Sequence, residues 1–131
     1  MKKIFTAALL LLFILSSCNE TNNNNIFSPK FKKTREMLTS KVDSALYNLL
    51  NIKDSINTYY KDPYLVNEFN VLLAEAHFKN QKKQANHRDV EKATRFYDSL
   101  FNIHKKDKDL SFQTARAHYY KAVGETEQDN I

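Results

Sequence analysis

The chain has 131 residues, a formal net charge of +5, one cysteine, two prolines and a single glycine. So little glycine and proline cannot supply the turns of a many-stranded sheet, and the mild charge leaves no nucleic-acid footprint. One cysteine closes no internal disulfide. What remains is one small all-α domain, helices joined by short polar loops.

Met1-Lys2-Lys3 precedes an apolar run over residues 4–15. That run is too short for the roughly 20 residues a spanning helix needs. Basic residues before it and small ones behind it make an export-signal pattern. Leu15-Ser16-Ser17-Cys18 then follows, and it resembles the lipobox of bacterial lipoproteins. The resemblance implies a signal peptide over 1–17 and a lipidated Cys18, carrying diacylglycerol and a further acyl chain such as palmitate. More than one chain on a residue anchors stably. Residues 18–30 hold four consecutive asparagines and end in Ser28-Pro29-Lys30, a flexible tether. Asn19 after the cysteine, by resemblance to the sorting rule of enteric bacteria, implies the outer membrane, on its periplasmic side. The +5 falls to +3 once Lys2 and Lys3 leave, because every acidic residue lies beyond Cys18. Lys30, Lys32, Lys33 and Arg35 form one basic cluster, and Lys105, Lys106 and Lys108 another; both read as solvated surface, the first beside the tether and within reach of anionic lipid.

The folded part is expected over 31–124. Residues 31–41 suit a short helix. Val42, Ala45, Leu46, Leu49, Ile52 or Lys53, and Ile56 recur at helical spacing in the next segment, which Asp43 would cap if the two helices are separate. Asp62-Pro63 opens a third helix, extending to Lys79. Its stripe of Leu65, Phe69, Leu72, Leu73 and Ala76, widened by Val71, Ala74 and Phe78, places it between neighbours. After a polar loop over 80–87, a fourth helix starts near Asp89 and aligns Val90, Ala93, Phe96 or Tyr97, Leu100, Phe101 and His104. A fifth, over about 110–123, turns Phe112, Ala115, Tyr119 and Ala122 inward. Gly124 stands where a left-handed C-cap belongs, and the tail over 125–131 should fray.

Ala74-Glu75-Ala76-His77-Phe78-Lys79 is echoed 41 residues on by Ala115-Arg116-Ala117-His118-Tyr119, and Leu49-Leu50-Asn51-Ile52 more weakly by Leu100-Phe101-Asn102-Ile103. Helix pairs recurring at such periods mark helical solenoids. Through these stretches, with Asp43-Ser44-Ala45-Leu46 and Ala93-Thr94-Arg95-Phe96-Tyr97, the chain resembles the first repeats of tetratricopeptide-repeat lipoproteins and regulators of Bacteroidetes. The resemblance implies antiparallel helix hairpins, about four or five helices in all, that bind a protein or peptide. The period exceeds the family's 34 residues, and the last helix lacks its expected partner. Phe112, Tyr119, Tyr120 and Val123 are therefore the candidate partner surface, or a face for a second copy of the chain.

No catalytic residue, cofactor or metal site is expected. None of His77, His87, His104 and His118 forms an HxxxH or HExxH pair; His77 and His118 read as equivalent packing positions. In each of the pairs Tyr59-Tyr60 and Tyr119-Tyr120, one ring must lie near solvent. Asp43-Ser44-Ala45, Asp54-Ser55-Ile56 and Asp98-Ser99-Leu100 resemble the Bacteroidetes O-glycosylation acceptor, making Ser44, Ser55 and Ser99 candidate sites, with Ser99 the least accessible. The expectation is a lipid-anchored, peptide- or protein-binding module; an inhibitor or immunity lipoprotein, or the sensory stub of a truncated regulator, are the alternatives.

Overall fold

The computed structural model describes residues 26–129. The expected signal peptide, Cys18 and most of the tether lie outside them, as do the last two residues. A 3-10 turn, Pro29–Phe31, leads into five helices: α1 (Lys32–Ser40), α2 (Val42–Tyr59), α3 (Pro63–Lys79), α4 (His87–Ile103) and α5 (Lys108–Asp129). The described residues are thus all-α.

Local chemistry sets most boundaries. Asp62 caps α3, its Oδ1 accepting from the Tyr64 amide at 3.0 Å, with Pro63 in the first turn. At the other end Gln81 takes a left-handed φ of 54°, and the Lys82 amide donates to the His77 carbonyl at 2.8 Å. That six-to-one bond satisfies a carbonyl the helix leaves open. Asp107 Oδ1 accepts from the Leu110 amide at 3.0 Å, holding the start of α5. Only Lys41 separates α1 from α2, and no side chain caps the break. Asp43 lies inside the first turn of α2, where its carboxylate faces the helix dipole; it is not the cap.

α1, α3 and α5 run parallel, side by side. α2 lies against α1 and α3, and α4 against α3 and α5, both antiparallel to them. α3 is central, touching each of the other four helices. One core cluster joins Phe31, Leu38, Leu46, Leu49 and Ile56 to Leu65, Phe69, Leu72, Leu73 and Ala76. A second joins Ile26, Val90, Ala93, Tyr97, Leu110, Ala117 and Tyr120 to Val71 and Ala74 of α3. Every residue from 68 to 77 is buried. All core residues fall between Ile26 and Tyr120.

α5 departs from the sequence expectation in phase and in length. It starts two residues earlier and runs through the tail to Asp129. Leu110, Gln113, Thr114, Ala117, Tyr120 and Gly124 face inward, while Phe112, Ala115, Tyr119 and Ala122 are exposed. The reason is that the polar members of the inner face find partners. Gln113 donates to the Tyr97 hydroxyl at 3.3 Å, and the Thr114 hydroxyl donates to the Leu110 carbonyl at 2.7 Å. Likewise in α4, Tyr97 is buried and Phe96 only partly, and His104 lies beyond the helix, exposed.

Gly124 is no C-cap. It sits within α5 without positive φ. A Cβ there would lie 2.6 Å from His87 Nδ1 and 2.7 Å from Gln84 Nε2. The missing side chain lets the loop between α3 and α4 press against α5, where Glu127 accepts from the Gln84 amide at 2.8 Å. In a free helix, Gly→Ala gains about 1 kcal/mol. Gly124→Ala should gain none of it in thermal melts, and Gly124→Val should lose about 1–3 kcal/mol by overpacking.

Candidate interaction surface

α3 carries Glu68 and Glu75 seven residues apart, hence on one face. Sequence reasoning passed over both. Their signal was there: two acids at a helical repeat within an otherwise apolar helix.

Glu68 is completely buried. Arg35 of α1 pairs with its Oε1, and Arg35 also donates to the Ser28 carbonyl at 3.1 Å. The Ser28 amide donates to Glu68 Oε2 at 2.5 Å. The chain around Ser28 is thus held by donor and acceptor alike. Burial pushes the Glu68 carboxyl above the usual range, against the pull of Ser28 and Arg35. Arg35, expected as solvated surface, is instead half-buried in this pair, while its neighbours Lys30, Lys32 and Lys33 are exposed.

Glu75 is paired with Arg116 of α5 and, at 2.8 Å, with Lys79. Burial alone would raise its carboxyl; the two cations outweigh it and hold it low. Arg116 also donates to Gln113 Oε1 at 2.8 Å. Gln113 reaches Tyr97, whose hydroxyl burial pushes well up. A polar chain therefore runs from α3 through α5 to α4.

An aromatic rim lies beside these pairs. Phe78 meets Tyr119 edge-on at 5.9 Å and Tyr120 at 6.0 Å. Arg116 lies over Phe112 at 5.5 Å, and Phe27 lies 6.4 Å from Phe112. Of the expected partner surface, Phe112 is 59% exposed and Tyr119 52%. Val123 is half-buried, and Tyr120 is 7% exposed and belongs to the core, its hydroxyl pushed up by burial. Phe112, Ala115, Tyr119 and Ala122 form one exposed stripe along α5.

The 41-residue echo has a direct structural meaning. Glu75 pairs with Arg116 and Phe78 packs on Tyr119, each 41 positions apart. The histidines do not share this equivalence. His77 is buried, with no hydrogen-bond partner on either ring nitrogen, among Lys53 of α2, Lys82 and Glu127 of α5. His118 is exposed and bonded to Asp98 at 2.7 Å. The neighbours that cover His77 have no counterpart at His118 among the described residues.

Among the described residues, no three His, Cys, Asp or Glu gather as metal ligands, and no helix is long and apolar enough to cross a membrane. Ser44, Ser55 and Ser99 are all exposed. Ser44 borders an open polar cleft with Lys79, Asn80 and Gln81. The Ser99 hydroxyl is engaged, donating to the Phe96 carbonyl at 2.7 Å in the last turns of α4.

Two measurements probe this machinery. Arg35→Met strands a buried carboxylate and should cost about 3 kcal/mol, most of it recovered when Glu68→Leu is added; denaturant titration of both variants reads the difference. His77 gives a pH signature. Burial holds its folded pKa below the usual 6.5, so unfolded chain takes up a proton that folded chain refuses. Stability should therefore decline as pH falls below about 6.5, and His77→Leu should flatten that limb in melts. The low carboxyl of Glu75 acts in a separate window, losing its contribution as pH falls below about 4.5.

The chain matches no protein-family model, no curated protein and no solved structure.

Proposed function

We propose that the chain is a membrane-anchored envelope lipoprotein whose folded part is a tetratricopeptide-like helical repeat that binds another protein or a peptide. The observation that carries the binding reading is the exposed stripe of Phe112, Ala115, Tyr119 and Ala122 on α5. Its 3-4-3 spacing is that of a helix-packing face. It lies on α5 beside the exposed Phe78 of α3, which packs on Tyr119. Large exposed aromatics grouped on one helix are what interfaces use as anchors.

The repeat reading is supported by the 41-residue offset at which α3 and α5 pair in parallel, and by the antiparallel run of α4 against α3, where Tyr64 meets Phe96 and Asn70 meets Asn86. The anchor reading rests on Leu15-Ser16-Ser17-Cys18 behind an apolar run. An outer-membrane, periplasm-facing location follows from Asn19 by the sorting resemblance. No catalytic group, cofactor or metal enters this reading.

Photocrosslinking from position 119 in intact cells tests it, together with light-scattering mass of residues 19–131 over a concentration series. A crosslinked envelope protein or a concentration-dependent dimer is expected, lost on Phe112→Ser with Tyr119→Ser while the melt is unchanged. A monomer at every concentration with no crosslink overturns the binding reading. Intact mass of membrane-extracted protein reads the anchor: acyl mass on Cys18 is expected, and its absence removes that part alone.

A further inference from the structure

Because α1, α3 and α5 are parallel and α2 and α4 run against them, the chain's charge can be sorted between two ends of the stack. One end gathers residues 26–33, 57–66 and 100–111; the other gathers 38–45, 77–89 and 121–129. The contacts agree with this sorting. Lys30 lies 3.9 Å over the Tyr60 ring, and Phe27 packs on Phe112 at the first end. Asn80 bonds to the Val42 carbonyl at 3.1 Å, and Gln84 to Glu127, at the second.

The ends differ in charge. The first has seven lysines against three aspartates, a balance of +4; the second has six basic residues against five acidic ones, a balance of +1. Two of the three aspartates at the first end, Asp62 and Asp107, are engaged as helix caps. Lys105 and Lys106 project from the loop between α4 and α5 and Lys108 opens α5, all exposed, with Lys32 and Lys33 at the start of α1. Apolar side chains stand among them. Ile103 is 73% exposed and Tyr59 78%.

The same end receives the N-terminal chain. Ile26 is buried against the second core, and Phe27 touches Phe112. Seven residues separate Cys18 from Ile26, so the two lie at most about 30 Å apart. A lysine-rich surface with exposed apolar side chains suits a bilayer carrying anionic headgroups.

We propose that this end of the helix stack docks on anionic lipid, so that the domain rests on the membrane by a chosen end and turns the Ser44 and Lys82 end away. The direction of the tether rests on the anchored reading above; the charge and the exposed apolar groups do not. Lipid binding at this end leaves the Tyr119 stretch of α5 open to a protein.

The test is hydrogen exchange of the full chain in phosphatidylcholine vesicles, with and without phosphatidylglycerol. Residues 104–107 and 80–86 supply the two loops to compare. Several-fold slower exchange in the first loop alone, only with phosphatidylglycerol and lost on Lys105→Glu, Lys106→Glu and Lys108→Glu, is expected. Equal exchange in both vesicles overturns the proposal. So does equal slowing of both loops, which is bulk adsorption, or slowing that survives the triple substitution. Slowing reproduced by inorganic phosphate with plain phosphatidylcholine vesicles would assign the lysines to a soluble anion and overturn it as well. Intact mass of the same sample reads Cys18 separately: exchange protection without acyl mass supports docking and removes only the anchor.

Discussion

α3 has almost no water-facing side, and the rest of the molecule is arranged around that constraint. Ten successive residues, 68 to 77, are buried, and two of them are carboxylates. A carboxylate out of water must be paired or neutralised. Glu68 takes its cation from α1 and Glu75 takes its own from α5. Apolar contact is non-directional and would allow neighbouring helices to slide. Guanidinium–carboxylate pairing is directional, so the two arginines set where α1 and α5 stand along α3.

The two carboxylates are not equally well served. Glu75 faces two cations and is held low; Glu68 has one guanidinium and one backbone amide, and its burial wins. Its second partner belongs to the chain entering the fold at Ser28. That chain then becomes part of the domain, since Ile26 joins the core beside α4 and α5 while Phe31 joins the core beside α2. The polar requirement of one buried group therefore ties the N-terminal entry to the helix layer, and it does so at the lysine-rich end.

Much of the helix map was legible, for local reasons. Asp62-Pro63 marks the start of α3, and the polar run after Lys79 marks its end, so both boundaries stand where the sequence put them. Burial all round α3 followed from apolar residues on most of its circumference. α5 was misread because its apolar residues lie on more than one side. Phe112, Ala115, Tyr119 and Ala122 have helical spacing, yet the buried stripe contains Gln113, Thr114 and Gly124. Gln113 and Thr114 look like a solvent face until Tyr97 stands to receive Gln113, while Thr114 turns its hydroxyl back on the Leu110 carbonyl of its own helix. Gly124 shows the same limit: a lone glycine near a helix end reads as a cap, whereas here a neighbouring loop requires the space.

The sequence by itself determined the helical class, the positions of most helix ends and the 41-residue echo, because glycine and proline content, caps and apolar periodicity act over a few residues. Tertiary structure alone decided which echo positions touch, that Glu68 and Glu75 need arginines from separate helices, and that His77 is enclosed while His118 is open. It also decided which face of α5 is left exposed and which end of the stack collects the lysines. These depend on helix direction and rotation, which arise when several helices satisfy one shared core and its buried charges together.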